Sequence, residues 1–228
     1  MDKPDEFRQG KGKKRILLVD DHPIVRQGIR ILLNREADLS VCGEAESAFE
    51  ALQAIESTQP DAAIVDLSLK ESSGLELIKD IRIRCPKLPV LVLSMRDECF
   101  YAERVLRAGA RGYITKEEGT EKVVDGLRKV LAGEIYLSEK LAAGVMRKMV
   151  TGQTGSPENL IDTLTDRELE VLELIGAGLT TRVVAEKLHL SVKTIDSHRE
   201  HIKEKLRIDN AAELLKHAIQ WHQCQRGV

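Results

Sequence analysis

The sequence predicts an α/β fold, a doubly wound parallel sheet of five strands, joined to a small all-α domain of four helices. Five short apolar runs in the first part of the chain alternate with stretches that repeat apolar residues at helical spacing. Such alternation implies right-handed crossovers and a parallel sheet with helices on both faces. From about residue 160 onward, every apolar pattern is helical. The predicted domains are therefore 14–132 and 161–228, with a linker over 133–160.

Composition favours an ordinary globular protein. The chain has 228 residues, of which 42% are hydrophobic and 32% charged, enough for one large or two modest domains. Its net charge of -2 offers no overall attraction to nucleic acid, so a nucleic-acid role must rest on a local basic face. The four cysteines are far apart and form no Cys-x-x-Cys pair, which is typical of reduced packing residues in a cytosolic protein. We expect no secretory signal and no membrane span.

The predicted strands are short and apolar, as buried parallel strands are. Pro23 suits the first turn of the first helix, and Gly109 suits the end of the fourth. The strands cover 15–19, 39–43, 62–66, 89–94 and 112–116, and the helices that follow them cover 23–33, 45–55, 75–83, 98–108 and 120–131.

Polar side chains collect at the carboxyl ends of these strands, which is the edge where open α/β sheets bind ligands. They are Asp20, Asp21, Asp66, Ser94 and Lys116. A single strand-end aspartate such as Asp66 is more often a helix cap or a solvated turn residue. Five polar residues brought to one edge favour a site instead.

The chemistry of these residues suits phosphoryl transfer. Three carboxylates within a few ångströms repel one another unless a cation joins them, and oxygen ligands with open water positions suit Mg²⁺. Lys116 is a compact charge that can pair with a phosphoryl oxygen, and Ser94 offers a hydroxyl to the same group. One carboxylate can then attack phosphorus in line.

At these residues the sequence resembles the receiver domain of two-component response regulators, over about 14–132. The resemblance implies the flavodoxin-like fold with strand order 2-1-3-4-5. Many receivers carry a proline shortly after the acceptor, where this chain has 70–74 without one, so the path of that loop stays open. The implied roles are Asp66 as phospho-acceptor, Asp20, Asp21, Asp66 and the backbone carbonyl of Ser68 as Mg²⁺ ligands, Lys116 as partner of the phosphoryl group, and Ser94 with Tyr113 as the switch pair.

Two rival folds that bind phosphate at a strand end are disfavoured. A haloacid-dehalogenase-type phosphatase needs a second aspartate two residues after its nucleophile, and Ser68 stands there. A nucleotide-binding domain needs a glycine-rich loop after the first strand, whereas this chain has Asp-Asp-His-Pro over 20–23.

The linker combines an amphipathic stretch with a turn-rich one. Apolar residues at helical spacing over 133–150 predict a connecting helix. The segment 151–157 is rich in Gly, Thr and Pro and predicts a flexible boundary between two domains.

The last part of the chain predicts a helix-turn-helix. Thr165 and Glu168 form a capping box before a helix that ends near Gly176 and Gly178. A short helix over 181–188 and a turn follow, and then a longer helix from Ser191 to about 206. A fourth helix covers 211–221. From charge alone, the third helix suits DNA binding and an ordinary amphipathic surface equally.

The motif in this part of the chain resembles the LuxR-type helix-turn-helix, over about 161–220. It includes Leu-Thr-Asp-Arg-Glu-Leu-Glu-Val-Leu over 164–172 and Leu-Ser-Val-Lys-Thr-Ile over 190–195, so the whole chain resembles the NarL/FixJ class of response regulators. The resemblance implies a recognition helix in the major groove. His198 and His201 fit surface polar residues better than metal ligands. The candidate DNA contacts are Lys193, Thr194, Ser197, Arg199 and Lys203.

These resemblances predict a cytoplasmic, phosphorylation-controlled transcription regulator that is not an enzyme beyond its own Mg²⁺-dependent phosphorylation. The expected partners are a sensor histidine kinase, double-stranded promoter DNA and a second copy of the phosphorylated chain, with RNA polymerase left open. We expect phosphorylation to turn Tyr113 inward, to free the recognition helix from the receiver and to let the fourth helix pair in a dimer. Two alternatives remain: a constitutive DNA-binding protein with a docking receiver, and a phosphatase or phosphotransfer enzyme without DNA.

Overall fold

The structure, a computed structural model, describes residues 12–69, 72–96, 98–139, 141–142 and 160–225. It consists of an N-terminal α/β unit up to residue 142 and a C-terminal helical unit from residue 160 onward. Among these residues, none of the helices combines the length and the apolar character needed to cross a bilayer.

The N-terminal unit is built on the predicted parallel sheet. Its strands are β1 (Lys14–Val19), β2 (Leu39–Ala45), β3 (Ala62–Val65), β6 (Val90–Ser94) and β7 (Gly112–Thr115), hydrogen-bonded in the order β2-β1-β3-β6-β7. Counted among the sheet strands alone, this is the predicted order 2-1-3-4-5, and the fold class is confirmed. All residues of β3 and β6 are buried, because helices cover both faces of the sheet.

Five helices cover the sheet, and two apolar clusters lie against its two faces. The second helix begins later than predicted, because Ala45 belongs to β2 and the Ser47 side chain accepts a hydrogen bond from the backbone N–H of Glu50 as an N-cap. The helices are α1 (Pro23–Arg35), α2 (Ala48–Thr58), α3 (Gly74–Arg84), α4 (Glu98–Ala108) and α5 (Thr120–Leu131).

The loop after β3, left open by the sequence, contains a small antiparallel hairpin. Strand β4 (Ser68–Leu69) pairs with β5 (Ser72–Ser73). The backbone N–H of Gly74 donates to the Leu67 carbonyl at 2.9 Å and joins the end of the hairpin to its start. The hydrogen bond from Gly74 to Leu67 holds the start of α3 close to the end of β3.

The C-terminal unit contains the four predicted helices, which follow a short 3₁₀ turn (Leu160–Thr163): α6 (Asp166–Gly176), α7 (Thr181–Lys187), α8 (Val192–Leu206) and α9 (Ala211–Gln225). Thr165 caps α6 and Ser191 caps α8 through their side chains. Helices α6 and α9 pack closely at Gly176, where a Cβ would lie 2.4 Å from the Ala218 carbonyl oxygen. Of the predicted connecting helix over 133–150, residues 133–138 are not helical and residues 139, 141 and 142 are, while the other nine residues lie outside the described ones.

Candidate functional site

The structure brings the predicted strand-end residues together at one edge of the sheet. Asp20 follows β1, Asp66 follows β3, Ser94 ends β6 and Lys116 follows β7. Three of them are buried: Asp20 is 4% exposed, Asp66 2% and Ser94 0%. Groups placed after parallel strands necessarily meet at the carboxyl edge, and here they meet in a pocket shielded from water.

Lys116 joins the two buried carboxylates. Its Nζ lies 2.6 Å from Asp20 Oδ2 and 2.7 Å from Asp66 Oδ2. Burial raises the pKa of the Asp66 carboxyl, and Lys116 opposes this. Burial likewise works against the charge of Lys116, but Asp66 and Asp20 outweigh it, so the pKa of the ammonium is raised. The lysine remains a fixed cation beside Asp66.

Asp66 belongs to a group of four potential metal ligands. One oxygen each from Asp20, Asp21 and Asp66 and one nitrogen from His22 lie within 4.8 Å of one another. Asp66 Oδ1 is buried and has no hydrogen-bond partner among the described residues. A buried carboxylate oxygen without a donor suits coordination to a cation, and oxygen donors suit Mg²⁺. Sequence reasoning did not include His22, whose Nδ1 lies 2.7 Å from Asp21.

Arg26 holds the backbone of the turn that carries Asp20 and Asp21, a role that the sequence did not predict. It is 8% exposed and donates to the backbone carbonyl of Asp20. Its guanidinium also contacts Glu46 at 2.7 Å and Glu44 at 3.3 Å. Arginine at the fourth position of an amphipathic helix gave no distinct signal, because its partners lie far along the chain on β2 and in the loop after it.

The predicted switch residues Ser94 and Tyr113 both contact the backbone of Arg96. Ser94 Oγ accepts from the Arg96 N–H at 3.3 Å, and the Tyr113 hydroxyl donates to the Arg96 carbonyl at 2.8 Å. Tyr113 is 0% exposed. The ring is thus already buried in this arrangement, and the expected inward turn of Tyr113 on phosphorylation stays a prediction.

Helix α8, the predicted recognition helix, presents part of the predicted DNA-contact set to solvent. Lys193 and Ser197 are exposed, and Thr194 is half-buried. Arg199 donates to Thr181 at 2.8 Å, and Lys203 lies 2.8 Å from Glu200, so both are engaged within the C-terminal unit. The apolar stripe of α8 is buried as expected.

The N-terminal unit does not hold helix α8, the predicted recognition helix, in the way we expected. Among the described residues, no hydrogen bond or ion pair between the units involves α8; those contacts go to α6 and to the 3₁₀ turn before it. In addition, the Trp221 ring of α9 packs edge-on against Phe100 of α4, with ring centroids 5.1 Å apart. The N-terminal unit therefore covers helices α6 and α9 directly. We call this arrangement, with the two units in contact, the closed arrangement.

A second cluster of potential metal ligands has a structural explanation. Glu168 lies near His198 and His201. However, Glu168 Oε2 already accepts from the Thr165 N–H at 2.7 Å and from Lys205 Nζ at 2.6 Å. Glu168 thus completes the capping box of α6, and the lysine beside it opposes a metal ion.

The comparisons with known proteins agree with this architecture. Residues 16–128 match the family described as response regulator receiver domain, and residues 162–218 match bacterial regulatory proteins of the luxR family. The chain belongs to the two-component response regulators that combine a receiver domain with a LuxR-type DNA-binding domain.

Individual relatives cover nearly the whole chain. The oxygen regulatory protein NreC of Staphylococcus carnosus (strain TM300) is 37% identical over 209 residues, which cover 90% of this chain and 96% of NreC. RcsB from Salmonella enterica serovar Typhimurium, solved bound to promoter P1flhDC with the phosphomimetic BeF₃⁻, is 28% identical with a TM-score of 0.65. This match covers 91% of this chain and 98% of RcsB. A further RcsB structure, from Salmonella typhimurium, is 26% identical with a TM-score of 0.67, over 92% and 98%.

Proposed function

We propose that this protein is a transcription regulator whose DNA binding is controlled by phosphorylation of Asp66. The observation that carries the proposal is the pocket itself: Asp66 is held by Lys116 through one oxygen, while its other oxygen is buried near Asp20 and Asp21 and has no hydrogen-bond partner in the part of the chain that the structure describes. A carboxylate held beside a fixed cation in this way is kept ionised and oriented, as a nucleophile must be. The proposed receiver spans 14–132, the linker 133–160 and the DNA-binding domain 161–228.

The ligands proposed for Mg²⁺ are Asp20, Asp21, Asp66 and the backbone carbonyl of Ser68. The unpartnered Oδ1 of Asp66 and the crowding of three carboxylates fit a hard divalent cation. When bound, Mg²⁺ would neutralise negative charge on the phosphoryl oxygens. Arg26 and Lys116 already hold the backbone and side chain of Asp20 in place, so the site is largely formed before the ion binds.

Phosphoryl transfer would use Asp66 as the nucleophile. A carboxylate oxygen of Asp66 attacks phosphorus in line, the new O–P bond forms an acyl phosphate, and the P–N bond to the kinase histidine breaks. Lys116 pairs with a phosphoryl oxygen, and the Ser94 hydroxyl donates to another. The new group adds negative charge in a buried pocket, so it changes the local balance of contacts strongly.

DNA recognition would use the exposed side of α8. Lys193, Thr194 and Ser197 lie toward its N-terminal end, where recognition helices contact base edges. Arg199 and Lys203 complete the proposed set, with their present partners Thr181 and Glu200 replaced by DNA. The related RcsB was solved bound to promoter DNA, which supports DNA binding by this chain but names no contact residues. The exposed acids Asp196 and Glu200 have two open roles, which are to accept from cytosine amino groups or to deter binding at wrong sites.

The proposed active form is a homodimer on two half-sites, paired through α9, in the cytoplasm. The related RcsB is described as dimers bound to DNA. Here Trp221 of α9 is covered by Phe100 of the receiver, so pairing through this end of α9 requires the domains to separate. A sensor histidine kinase would supply the phosphoryl group, and RNA polymerase remains an open partner.

The test combines phosphorylation with DNA selection. The wild type and Asp66→Asn are incubated with acetyl phosphate and Mg²⁺, and phosphorylation is followed by intact-protein mass spectrometry. The asparagine has the same size but no nucleophilic carboxylate, so we expect a phosphoryl adduct on the wild type alone. Each protein is then used to select binding sites from random DNA. Equal selection with and without donor would favour a constitutive DNA-binding protein, and no selection at all would favour a phosphotransfer role.

A further inference from the structure

Three receiver cations meet acidic residues of α6 where the two domains touch. Lys79 Nζ lies 2.9 Å from Asp166 Oδ2, and Arg104 Nη1 lies 3.1 Å from Asp166 Oδ1. Arg96 contacts Glu173. The side chains of Arg96 and Arg104 are each only 15% exposed. Ion pairs that are shielded from water in this way contribute more than exposed ones, and losing one partner leaves a buried charge.

Arg96 differs from the other two cations because the switch residues hold its backbone. Its N–H donates to Ser94 Oγ at 3.3 Å, and its carbonyl accepts from the Tyr113 hydroxyl at 2.8 Å. The described contacts of Lys79 and Arg104 include neither Ser94 nor Tyr113. A movement of the Ser94 hydroxyl therefore reaches Arg96 directly.

The side chain of Arg96 links Ser68, in the loop after Asp66, to the DNA-binding domain. Its Nε donates to Ser68 Oγ at 3.4 Å, and its guanidinium lies 4.8 Å from the centre of the Tyr101 ring. The Tyr101 hydroxyl in turn donates to Glu173 Oε2 at 3.0 Å. Burial opposes the charge of Arg96, but Tyr101 and Glu173 outweigh it, so the pKa is raised and the group remains a cation.

We propose that Arg96 is the residue that transmits the phosphorylation state of Asp66 to the DNA-binding domain. The proposal rests on the proposed function above. When the Ser94 hydroxyl turns to the phosphoryl group, the Arg96 N–H loses its acceptor. The loop after β6 is then free to shift, and the guanidinium withdraws from Glu173. Without the guanidinium, the Glu173 carboxylate is better solvated when the two domains are apart.

Lys79 and Arg104 have a different role in this scheme. They contribute to the stability of the closed arrangement but have no described contact with the switch pair. Arg104 also donates to the carbonyls of Ile161 and Leu164, at 3.2 Å and 2.8 Å. Removing Arg104 should therefore weaken the closed arrangement while leaving its response to phosphorylation intact. This difference separates a transmitting residue from an ordinary interdomain contact.

The experiment compares the full-length wild type with Arg96→Met and the matched control Arg104→Met. Trp221, the single tryptophan, reports domain contact through its fluorescence because it packs on Phe100. Emission and affinity for the selected DNA site are measured with and without acetyl phosphate and Mg²⁺. Mass spectrometry gives the phosphorylated fraction of each sample. Glu173→Gln, which leaves the receiver sequence intact, serves as a second variant if Arg96→Met folds poorly.

We expect the donor to change DNA affinity about 5- to 150-fold in the wild type and in Arg104→Met, the usual range of allosteric coupling. In Arg96→Met and Glu173→Gln, emission and affinity should already match the phosphorylated wild type and change little with donor, although Asp66 is still phosphorylated. A normal response in these two variants, or equal loss of response in Arg104→Met, would overturn the proposal alone. A wild type that takes no phosphoryl group or selects no DNA would overturn the proposed function and this proposal with it.

Discussion

Replacing Lys116 with methionine should destabilise the receiver strongly, because it removes the cation between two buried carboxylates. Methionine keeps the length and apolar stem of the side chain but removes its cation. Asp20 and Asp66, whose side chains are 5% and 2% exposed, would then face each other without the ammonium that lies 2.6 and 2.7 Å from them. Breaking a buried pair in this way typically costs about 3 to 5 kcal/mol.

Protonation sets an upper limit to this cost. One carboxyl can take up a proton, which for an ordinary pKa of 3.8 costs about 4 kcal/mol at pH 7, at about 1.4 kcal/mol per pH unit. We therefore expect Lys116→Met to lower the opening free energy of β1 and β3 by about 3 to 4 kcal/mol. Hydrogen exchange of their amides in EDTA measures it directly.

Lys14→Met is the matched control. Lys14 Nζ also lies 2.8 Å from a carboxylate, Asp61, but the two side chains are 45% and 34% exposed. Such a pair is worth less than about 1 kcal/mol. Added Mg²⁺ should restore much of the loss in Lys116→Met, because Asp20 and Asp66 then lack the ammonium that paired with them. If Lys116→Met costs no more than Lys14→Met in EDTA, the reasoning about the pocket is refuted.

Three further substitutions test other parts of the structure. Gly74→Ala would place a Cβ 2.0 Å from the Asp66 carbonyl oxygen, so we expect a loss of about 1 to 3 kcal/mol and slower phosphorylation by acetyl phosphate. Burial opposes the charge of Glu168, but its hydrogen bonds outweigh burial and lower the pKa of the carboxyl. Its contribution to the free energy of unfolding is therefore present above pH 4.5 and is lost on acidification. Glu168→Gln should flatten the acid unfolding curve. Phe100→Ala should shift Trp221 emission to the red, removing a contact worth about 0.5 to 1.5 kcal/mol.

Each of these has a control on the same chain. Gly28→Ala meets nothing within 4 Å and should be neutral or stabilising, since alanine favours a helix interior. Glu186→Gln removes an acid that is 67% exposed and should leave the acid unfolding curve unchanged. Wild-type stability in Gly74→Ala, an unaltered acid limb in Glu168→Gln or unshifted emission in Phe100→Ala would each contradict the packing described here.

Much of the fold follows from local patterns in the sequence. Alternating apolar runs and helical repeats give five strands and their crossovers, and right-handed connection leaves few ways to arrange them. Boundaries were wrong by a few residues where a side chain competes with the backbone, as at the start of α2, where Ser47 caps the helix. The hairpin in the loop after Asp66 was not predictable from the sequence. It depends on the pairing of Ser68–Leu69 with Ser72–Ser73, and the two residues between these segments are not a recognisable turn motif.

The site residues likewise fall into those that the sequence predicts and those that only the folded structure brings together. Asp20, Asp66 and Lys116 could be predicted because each follows a strand, and parallel strands end at one edge. Arg26 could not, because its acidic partners Glu44 and Glu46 are brought to it only by the folding of β2 beside β1. Roles for the individual site residues stay predictions until phosphorylation is measured.

The amino-acid sequence by itself determined that this protein has a carboxylate pocket and a separate helix-turn-helix, because periodicity and strand ends are local features. Only the tertiary structure decided how the two units meet. Arg96 looks like any loop arginine in the sequence, and Glu173 like any exposed helix acid. Their contact across 77 positions of the chain exists because packing α6 against the receiver removes both from water, and a buried charge needs a partner.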